Sequence, residues 1–568
     1  MYAENANLTL DYSDRTNRFH FSCPPWMNDL ARAIPNRRWS NKEKVWTAPA
    51  LRANARYFQD LRGVKITEAA LEKIKECQAA AHRVKNMFPP WYQFKTKPRP
   101  YQLKALNKTY GNKVGGFIMG MGTGKTKTYI DLACAMRIEN LIDRTLVVCP
   151  MSIRNEWKGQ LELHASVPVD AHFLDTSKEW DFDRWLDRKH DYKWLVVAVE
   201  SLSVGKAARL CEQFLLGSTK CSMVIDESTK IKNHESKRNE ACMLLATRAE
   251  YRHILTGTPL ANGPMDYYAQ FEFLDTQIIG VGDYYSFRNL YAVMGGYEGK
   301  QIVGYTKLEE LAAIIEPFIY EVSKEEALPD LPPKTYQQRF VQLTAEQKEL
   351  YTRVRKLPLV KTPQGEIELQ NVLVRMLRLS EITSGFYTEA VSEDGGEPEF
   401  VKQWFPKSPK LVELLDVLEE AGDKPTIIWT RFKPELKLIK DALRERYGND
   451  KFVEYSGDVS EDDRAINKQR YLSGDAQFFV ATPQSGGMGL NLQVTELEVF
   501  MSNSYNYLER VQAEDRGHRM GTTKPVLIVD ILAEGTVNEH ELKALQNKHG
   551  VSEYMRELIR SKRVSEVL

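Results

Sequence analysis

Apolar positions along the chain gather into two series of short, dense runs. The first comprises 115–119 (GGFIM), 145–150 (TLVVCP), 194–200 (WLVVAVE), 221–227 (CSMVIDE) and 252–258 (RHILTGT). The second comprises 425–430 (PTIIWT), 451–456 (KFVEYS), 477–482 (QFFVAT), 497–502 (LEVFMS) and 526–532 (VLIVDIL). A strand buried on both faces needs no polar alternation. Strand-length apolar runs separated by helical stretches therefore predict parallel sheets covered by helices on both faces. Between the series, residues 265–385 read as mostly helical, interrupted by LPDLPPK at 328–334. Residues 391–400 (VSEDGGEPEF) are acidic and read as a loop. Ahead of both series, residues 1–60 predict a small mixed unit. Strands are expected at 8–12, 18–23, 37–39 and 45–48, with a helix at 26–34 and a turn at Asn41-Lys-Glu-Lys44. Residues 65–87 read as helical, ending before Pro89-Pro90. The whole predicts an α/β chain with two sheet-bearing halves, helical insertions and a small α+β N-terminal domain.

Composition narrows this picture only in part. With 568 residues there is material for three or four domains. Lys+Arg number 78 and Asp+Glu 77, which excludes a polycation or an acidic tail as the organising principle. The first residues are charged and include no apolar stretch of signal-peptide length, and no apolar run is long enough for a membrane span. Seven cysteines, all within the first 242 residues and without a C-x-x-C pair, argue against a disulfide framework or a structural zinc site. These features predict a cytoplasmic protein. Compactness and the lack of a basic localisation cluster lean the expectation toward a bacterial cell or a virus-infected host cell.

Candidate chemistry begins at Gly120-Met-Gly-Thr-Gly-Lys-Thr126, between an apolar strand and a helical stretch. Glycines let backbone N–H groups turn toward phosphates, and the following helix N-terminus adds partial positive charge. Gly120, Gly122, Thr123 and Gly124 would form the cradle. Lys125 would reach the β/γ-phosphates, and the Thr126 hydroxyl would hold Mg²⁺. Met119 stands where the usual first glycine falls, so the regular pattern is broken. Further on, Met223-Val-Ile-Asp-Glu227 ends an apolar strand in two carboxylates. Asp226 is suited to binding Mg²⁺ through water, and Glu227 to orienting and deprotonating an attacking water.

With Leu255-Thr-Gly-Thr-Pro-Leu260, these segments resemble the motor core of superfamily-two helicases, and more closely its Swi/Snf-type branch. The resemblance implies two tandem RecA-like lobes, ATP and Mg²⁺ as cofactors, and hydrolysis coupled to movement on duplex DNA. Arg99-Pro-Tyr-Gln102 looks like the family's adenine-reading segment, with Gln102 on the base edge. Pro150-Met-Ser-Ile-Arg-Asn-Glu-Trp157 matches its first DNA-contact motif and makes Ser152 a candidate contact. Ala481-Thr-Pro-Gln-Ser-Gly-Gly487 and its continuation resemble motif V, with Gln484, Ser485, Gly486 and Gly487 toward DNA. Gln512-Ala-Glu-Asp-Arg-Gly-His-Arg519 resembles motif VI, where Arg516 and Arg519 correspond to the arginines that face the γ-phosphate. Four positions depart from the pattern: Thr229 where the family usually has His, Met119-Gly120 for Asp-Glu, and Thr522 for Gln. Lys125, Asp226, Glu227 and both arginines are retained, so an active ATPase is expected.

The N-terminal stretch, with Ile34-Pro-Asn-Arg-Arg-Trp39 and Val45-Trp46, looks like the HepA-related (HARP) accessory domain of annealing helicases. That makes Arg37 and Arg38, with Lys42 and Lys44, candidate phosphate contacts; the alternative is two tryptophans that simply build a small core. Between Cys77 and Ile130 there is no Asp or Glu but ten Lys/Arg, interleaved with Trp91, Tyr92, Phe94 and Tyr101. This reads either as a basic, aromatic path for a nucleic-acid backbone or as a solvated linker before the phosphate loop. The expected division is 1–60 accessory domain, 61–95 linker, 96–264 first lobe, 265–400 insertions and inter-lobe linker, and 401–568 second lobe. The function expected is ATP-dependent remodelling of forked or branched duplex DNA. The alternatives are a strand-separating DNA or RNA helicase, and a recruitment module that uses ATP as a switch.

Overall fold

The computed structural model describes residues 8–34, 36–79, 87–190, 192–257, 263–295, 301–356, 369–391, 399–486, 490–504 and 506–539, with 541, 542 and 545. The main division into compact units falls between Ser323 and Lys324.

The first unit opens with a five-stranded sheet in the order β3-β4-β2-β1-β5. Its strands are β1 (Leu8–Ser13), β2 (Arg18–Ser22), β3 (Arg38–Ser40), β4 (Val45–Pro49) and β5 (Val64–Ile66). Strict alternation along β1 turns Leu8 and Leu10 inward, where they meet Phe19, Phe21, Phe58 and Ile74. The expected boundary at residue 60 does not hold. β5 pairs with β1 in parallel register, Leu10 opposite Ile66, and the helix Glu68–Ala79 supplies Ile74 and Cys77 to the same core. The helix expected over 26–34 is shorter: a 3₁₀ turn at Pro25–Met27 and one α turn at Asn28–Arg32. The module is fastened to the helical insertion of the same unit. Gln277 accepts from the Arg52 backbone N–H (3.1 Å) and donates to the Ala50 carbonyl (2.9 Å), while Ser286 donates to Asn36 (3.1 Å).

The large sheet of this unit has seven strands, all parallel, in the order β14-β6-β11-β10-β7-β9-β8. They are β6 (Val114–Met119), β7 (Arg144–Cys149), β8 (Asp170–Phe173), β9 (Lys193–Ala198), β10 (Cys221–Asp226), β11 (Tyr251–Thr256) and β14 (Ile319–Val322); β12 (Ala292–Gly295) and β13 (Gln301–Tyr305) form a separate hairpin. β6, β9 and β10 are buried at every position, as their unbroken apolar runs predict. The limit expected at 264 is also corrected. β14 lies in the stretch read as helical, and it completes the sheet by pairing with β6.

The second unit carries a six-stranded parallel sheet in the order β15-β22-β21-β18-β20-β19. It consists of β15 (Lys334–Val341), β18 (Thr426–Trp429), β19 (Phe452–Tyr455), β20 (Phe478–Ala481), β21 (Leu497–Phe500) and β22 (Val526–Ala533), with β16 (Phe386–Val391) and β17 (Glu399–Trp404) as a hairpin. β15 moves the start of this unit well ahead of the expected residue 401. It is an edge strand, and most of its side chains face outward. Among the described residues no helix is long and apolar enough to cross a membrane.

One core group has a pH consequence. His253 on β11 is fully buried against Tyr129 and Phe117, and neither ring nitrogen has a partner. Burial, with some help from the Arg252 charge, pushes its pKa down to about 3. The folded pKa lies below the unfolded value, so the unfolded state takes the proton first and stability falls as pH drops below about 6.5. Acid titration of the unfolding free energy should lose about 2 kcal/mol by pH 5 from this group alone, and His253→Leu should flatten that limb.

Candidate nucleotide and nucleic-acid site

The end of β6 leads into the glycine-rich loop. Gly122 and Gly124 adopt φ of 71° and 82°, a left-handed backbone that a side chain would strain, and Gly124 caps the helix Lys125–Ile138. Lys125 is buried and folds back on its own loop. Its Nζ donates to the carbonyls of Met119 (3.0 Å) and Gly120 (3.5 Å). Gly120 itself donates its N–H to Val322 at the end of β14 (3.0 Å), and Thr126 is half-buried at the second position of the helix. Gln102 lies in the first turn of the helix Pro100–Thr109. It accepts from the Arg99 N–H (2.9 Å) and donates to the Gly124 carbonyl (3.5 Å), so the expected adenine-reading segment is tied to the phosphate loop.

The acidic pair stands at the end of β10. β11 alone separates β10 from β6, so the loop and the carboxylates leave the same edge of the sheet two strands apart. Asp226 accepts the Glu227 N–H on Oδ1 (3.0 Å) and the Trp157 indole N–H on Oδ2 (3.1 Å). Glu227 holds φ +50°, ψ +57°, an uncommon conformation for a non-glycine residue, and its buried Oε2 has no hydrogen-bond partner. Burial first, then the neighbouring Glu227 charge, raises Asp226 to about 7, against the opposing pull of Lys125 and the two donors. Two adjacent carboxylates, one fully buried and one with an orphaned oxygen, form an anionic couple that a hard divalent cation would relieve. Among the described residues no cluster of three or more His, Cys, Asp or Glu could hold a metal, so a cation here would keep part of its hydration. After the pair, Ser228 donates to Gln270 (2.6 Å) and Lys232 pairs with Asp266 (3.3 Å), pinning the segment to the helix Tyr267–Leu274. Of the third motif, Leu255 and Thr256 finish β11 and Gly257 follows it; 258–260 lie outside the described residues.

In the second unit Arg516 and Arg519 converge on one carbonyl. Both donate to Leu490, Arg516 at 3.3 Å. Their neighbour Asp515 is fixed by Lys324 (2.5 Å) and Lys334 (2.9 Å), and Lys334 also reaches Glu514 (3.1 Å). Burial would raise the Asp515 pKa, but the two ammonium groups outweigh it and hold the carboxyl well below its usual range. Burial leaves Lys324 below the ordinary ammonium range, while the Asp515 and Glu514 charges outweigh burial and hold Lys334 well above it. His518 completes the anchor by meeting the Pro332 carbonyl (2.6 Å). Nothing in the spacing of the LPDLPPK stretch, or in the residues just ahead of it, pointed to this role for Lys334 and Lys324.

The expected nucleic-acid contacts fall in several places. Ser152 is exposed on the 3₁₀ turn Met151–Ile153. Gln484 and Ser485 sit on the helical turn Pro483–Gly486, with Gln484 exposed and Ser485 donating to the Tyr455 carbonyl (3.0 Å); Gly487 lies outside the described residues. Arg37 and Arg38 are exposed beside the β3–β4 hairpin, where Trp39 packs edge-on against Trp46 (5.2 Å) yet keeps 48% of its surface open. The acid-free stretch before the loop resolves mostly toward packing. Lys127 forms a buried pair with Asp131 (2.6 Å), Lys108 meets Glu316 (2.6 Å) and Lys113 meets Glu250 (2.8 Å). Phe88, Tyr92 and Phe94 pack on one another, Phe88 stacked on Phe94 and Tyr92 edge-on to both. Arg83 and Lys85 lie outside the described residues.

Two parallel-sheet units, the first with a phosphate loop and an acidic strand end, the second with a paired-arginine segment, define the helicase-like class built on two RecA-like lobes. The model of the SNF2-related domain matches residues 74–385, more than half of the chain, and that of the helicase conserved C-terminal domain matches 407–521. The chain belongs to the SNF2-related family. It is 28% identical over 457 residues to the zebrafish (Danio rerio) chromodomain-helicase-DNA-binding protein 1-like, an alignment covering 78% of this chain and 42% of that protein. It is 25% identical over 463 residues to the human SWI/SNF-related matrix-associated actin-dependent regulator of chromatin subfamily A member 1, covering 79% and 43%. Among solved structures it is similar to the Sulfolobus solfataricus SWI2/SNF2 ATPase core in complex with dsDNA, at 24% identity and TM-score 0.38, covering 84% of this chain and 96% of that one. The alignments span less than half the length of these curated relatives. The expectation of a cytoplasmic protein of a bacterial or virus-infected cell is overturned, because the curated relatives are eukaryotic and several are named for chromatin. The family match begins at residue 74 and leaves the N-terminal sheet outside it.

The acidic pair makes a stability prediction. Asp226 keeps its proton below about pH 7, so repulsion from Glu227 is felt only above that pH. Glu227→Gln should therefore raise the melting temperature of the metal-free protein at pH 8 by about 2–4 °C, the shift that about 1 kcal/mol produces, and leave it unchanged at pH 5. Equal shifts at both pH values would remove the like-charge account.

Proposed function

We propose that the chain is an ATP-hydrolysing motor that moves on duplex DNA and remodels forked or branched duplexes. The observation that carries this reading is the shared sheet edge, where Lys125 follows β6 and the Asp226–Glu227 couple ends β10, parallel strands with only β11 between them. The backbone of Gly120, Gly122, Thr123 and Gly124 would receive the phosphates. Lys125 would exchange its present carbonyl partners for phosphate oxygens, and Gln102 would turn its amide to the adenine edge. Mg²⁺, when bound, supplies charge neutralisation on the phosphate oxygens, and Thr126 and, through water, Asp226 would hold it. Glu227, with one oxygen already without a partner, would take the proton of the attacking water. Arg516 and Arg519 would leave the Leu490 carbonyl to meet charge developing on the γ-phosphate, a contribution of about 10³–10⁵ in rate.

The DNA reading draws on the zebrafish relative, whose name includes DNA binding, and the human one, named as a regulator of chromatin. Ser152 and the Gln484–Gly487 segment would follow one strand. Arg37 and Arg38, flanking the half-open Trp39, would add phosphate contacts at a branch, in the manner of a HARP-like module. Because β5 and the helix Glu68–Ala79 belong to the same fold, point substitutions test this better than truncation at residue 60.

Lys125→Ala should abolish ATP turnover, and Glu227→Gln should bind ATP without hydrolysing it; normal hydrolysis in either would refute the assignment. Turnover should rise with duplex and forked DNA, and stimulation by RNA alone would sink the motor reading. Replacing Arg37 and Arg38 together by Ala should lower the salt slope of fork binding by about 2 and leave the slope on plain duplex unchanged.

A further inference from the structure

One contact in the first unit joins two segments that the functional reading treats separately. The run that starts at the exposed turn Met151–Ile153 continues directly into the helix Arg154–His164, and Trp157 lies on that helix, 1% exposed. Its indole N–H ends on Asp226 Oδ2 at 3.1 Å. The other oxygen of the same carboxylate is held by the Glu227 backbone at 3.0 Å. These two donors, one on each oxygen, set the plane of the Asp226 carboxylate. The backbone donor directly follows β10, whereas the indole donor rides on the helix that continues the turn bearing Ser152.

The contact is more than an indole finding an acceptor. Trp185, equally sequestered in the same unit, leaves its N–H without a partner, so this core does not demand satisfaction of every buried indole. The turn ahead of Trp157 is braced at two points: the Met151 N–H donates to Glu200 (3.0 Å) and Arg154 donates to the Leu174 carbonyl (3.0 Å). Those braces make the turn and helix start move together. Trp157 also packs against Trp194 of β9 (6.3 Å between ring centroids).

We propose that Trp157 is a positioning residue that couples the 150–154 segment to Asp226, so that a DNA backbone seated on that segment sets the orientation of the carboxylate. The proposal rests on the motor reading for what the two ends bind. It says that DNA acts on hydrolysis in part from within the first unit, through one side chain.

The test uses the full chain and a plain duplex. Trp157→Phe keeps the ring volume and removes the N–H. Its duplex-stimulated kcat should fall about tenfold, the usual effect of losing a partner behind a metal-holding carboxylate, while KM for ATP stays near the wild-type value. The second readout needs no turnover. In ¹⁵N-labelled wild-type protein the Trp157 indole resonance, assigned by its loss in the variant, should shift when duplex is added without nucleotide. If the variant does not fold, hydrogen exchange of the 154–164 helix in wild-type protein should change on adding duplex, and an unchanged pattern overturns the coupling. Full stimulation in Trp157→Phe, or an indole resonance indifferent to duplex, also overturns it. A wild-type protein whose indole moves with duplex but whose hydrolysis is not stimulated would instead sink the motor reading and leave the coupling standing.

Discussion

Parallel pairing is the constraint from which the rest of this molecule follows. When every strand of a sheet runs the same way, all the loops that leave strand ends emerge on one edge. Chemistry placed at those ends is gathered without any long-range design. In the first unit the order β6-β11-β10 brings the glycine loop and the acidic pair to that edge with one strand between them. The cost is that such strands are buried on both faces, which is why β6, β9 and β10 admit no exposed position. A polar group at the end of such a strand, such as Asp226, is therefore desolvated by the same packing that places it.

Two acidic sites, one in each unit, answer buried charge in opposite ways. In the first, Asp226 and Glu227 repel, Glu227 occupies an unfavourable backbone region, and one of its oxygens has no partner. In the second, Asp515 and Glu514 are answered by Lys324 and Lys334, and Arg510 is clamped between Glu514 (2.7 Å) and Asp530 (2.5 Å) with Phe500 beneath it (3.5 Å). Removing one member of a satisfied buried network of that kind costs about 3–5 kcal/mol. The contrast separates a site kept short of a counter-charge from a frame that is complete in itself.

Much of this was legible from side-chain pattern, and the failures share a cause. Unbroken apolar runs marked the buried strands, and the glycine spacing marked the loop even with Met119 in place of glycine. β8, β14 and β15 were missed at sheet edges, where a strand does not need an apolar face. β15, with most of its side chains outward, carries Thr335, Gln337 and Gln338 and reads as a linker; β14 is four residues long and follows a helix. The basic stretch before the loop was ambiguous because its counter-charges, Glu250 and Glu316, come from distant positions. Trp157 stood at the end of a quoted motif, but no local pattern shows that its indole ends on Asp226.

The seat of the N-terminal sheet has an evolutionary consequence. Gln277 grips it through the Ala50 carbonyl and the Arg52 N–H, which every sequence supplies so long as neither position demands a proline at the donor. This part of the attachment reads backbone and leaves side-chain identity at 50 and 52 free, whereas Asn36, which accepts from Ser286, is held by its side chain. The hairpin bearing Arg37, Arg38 and Trp39 can drift, be exchanged or be re-specified for a different partner, while the fixture that holds it stays the same.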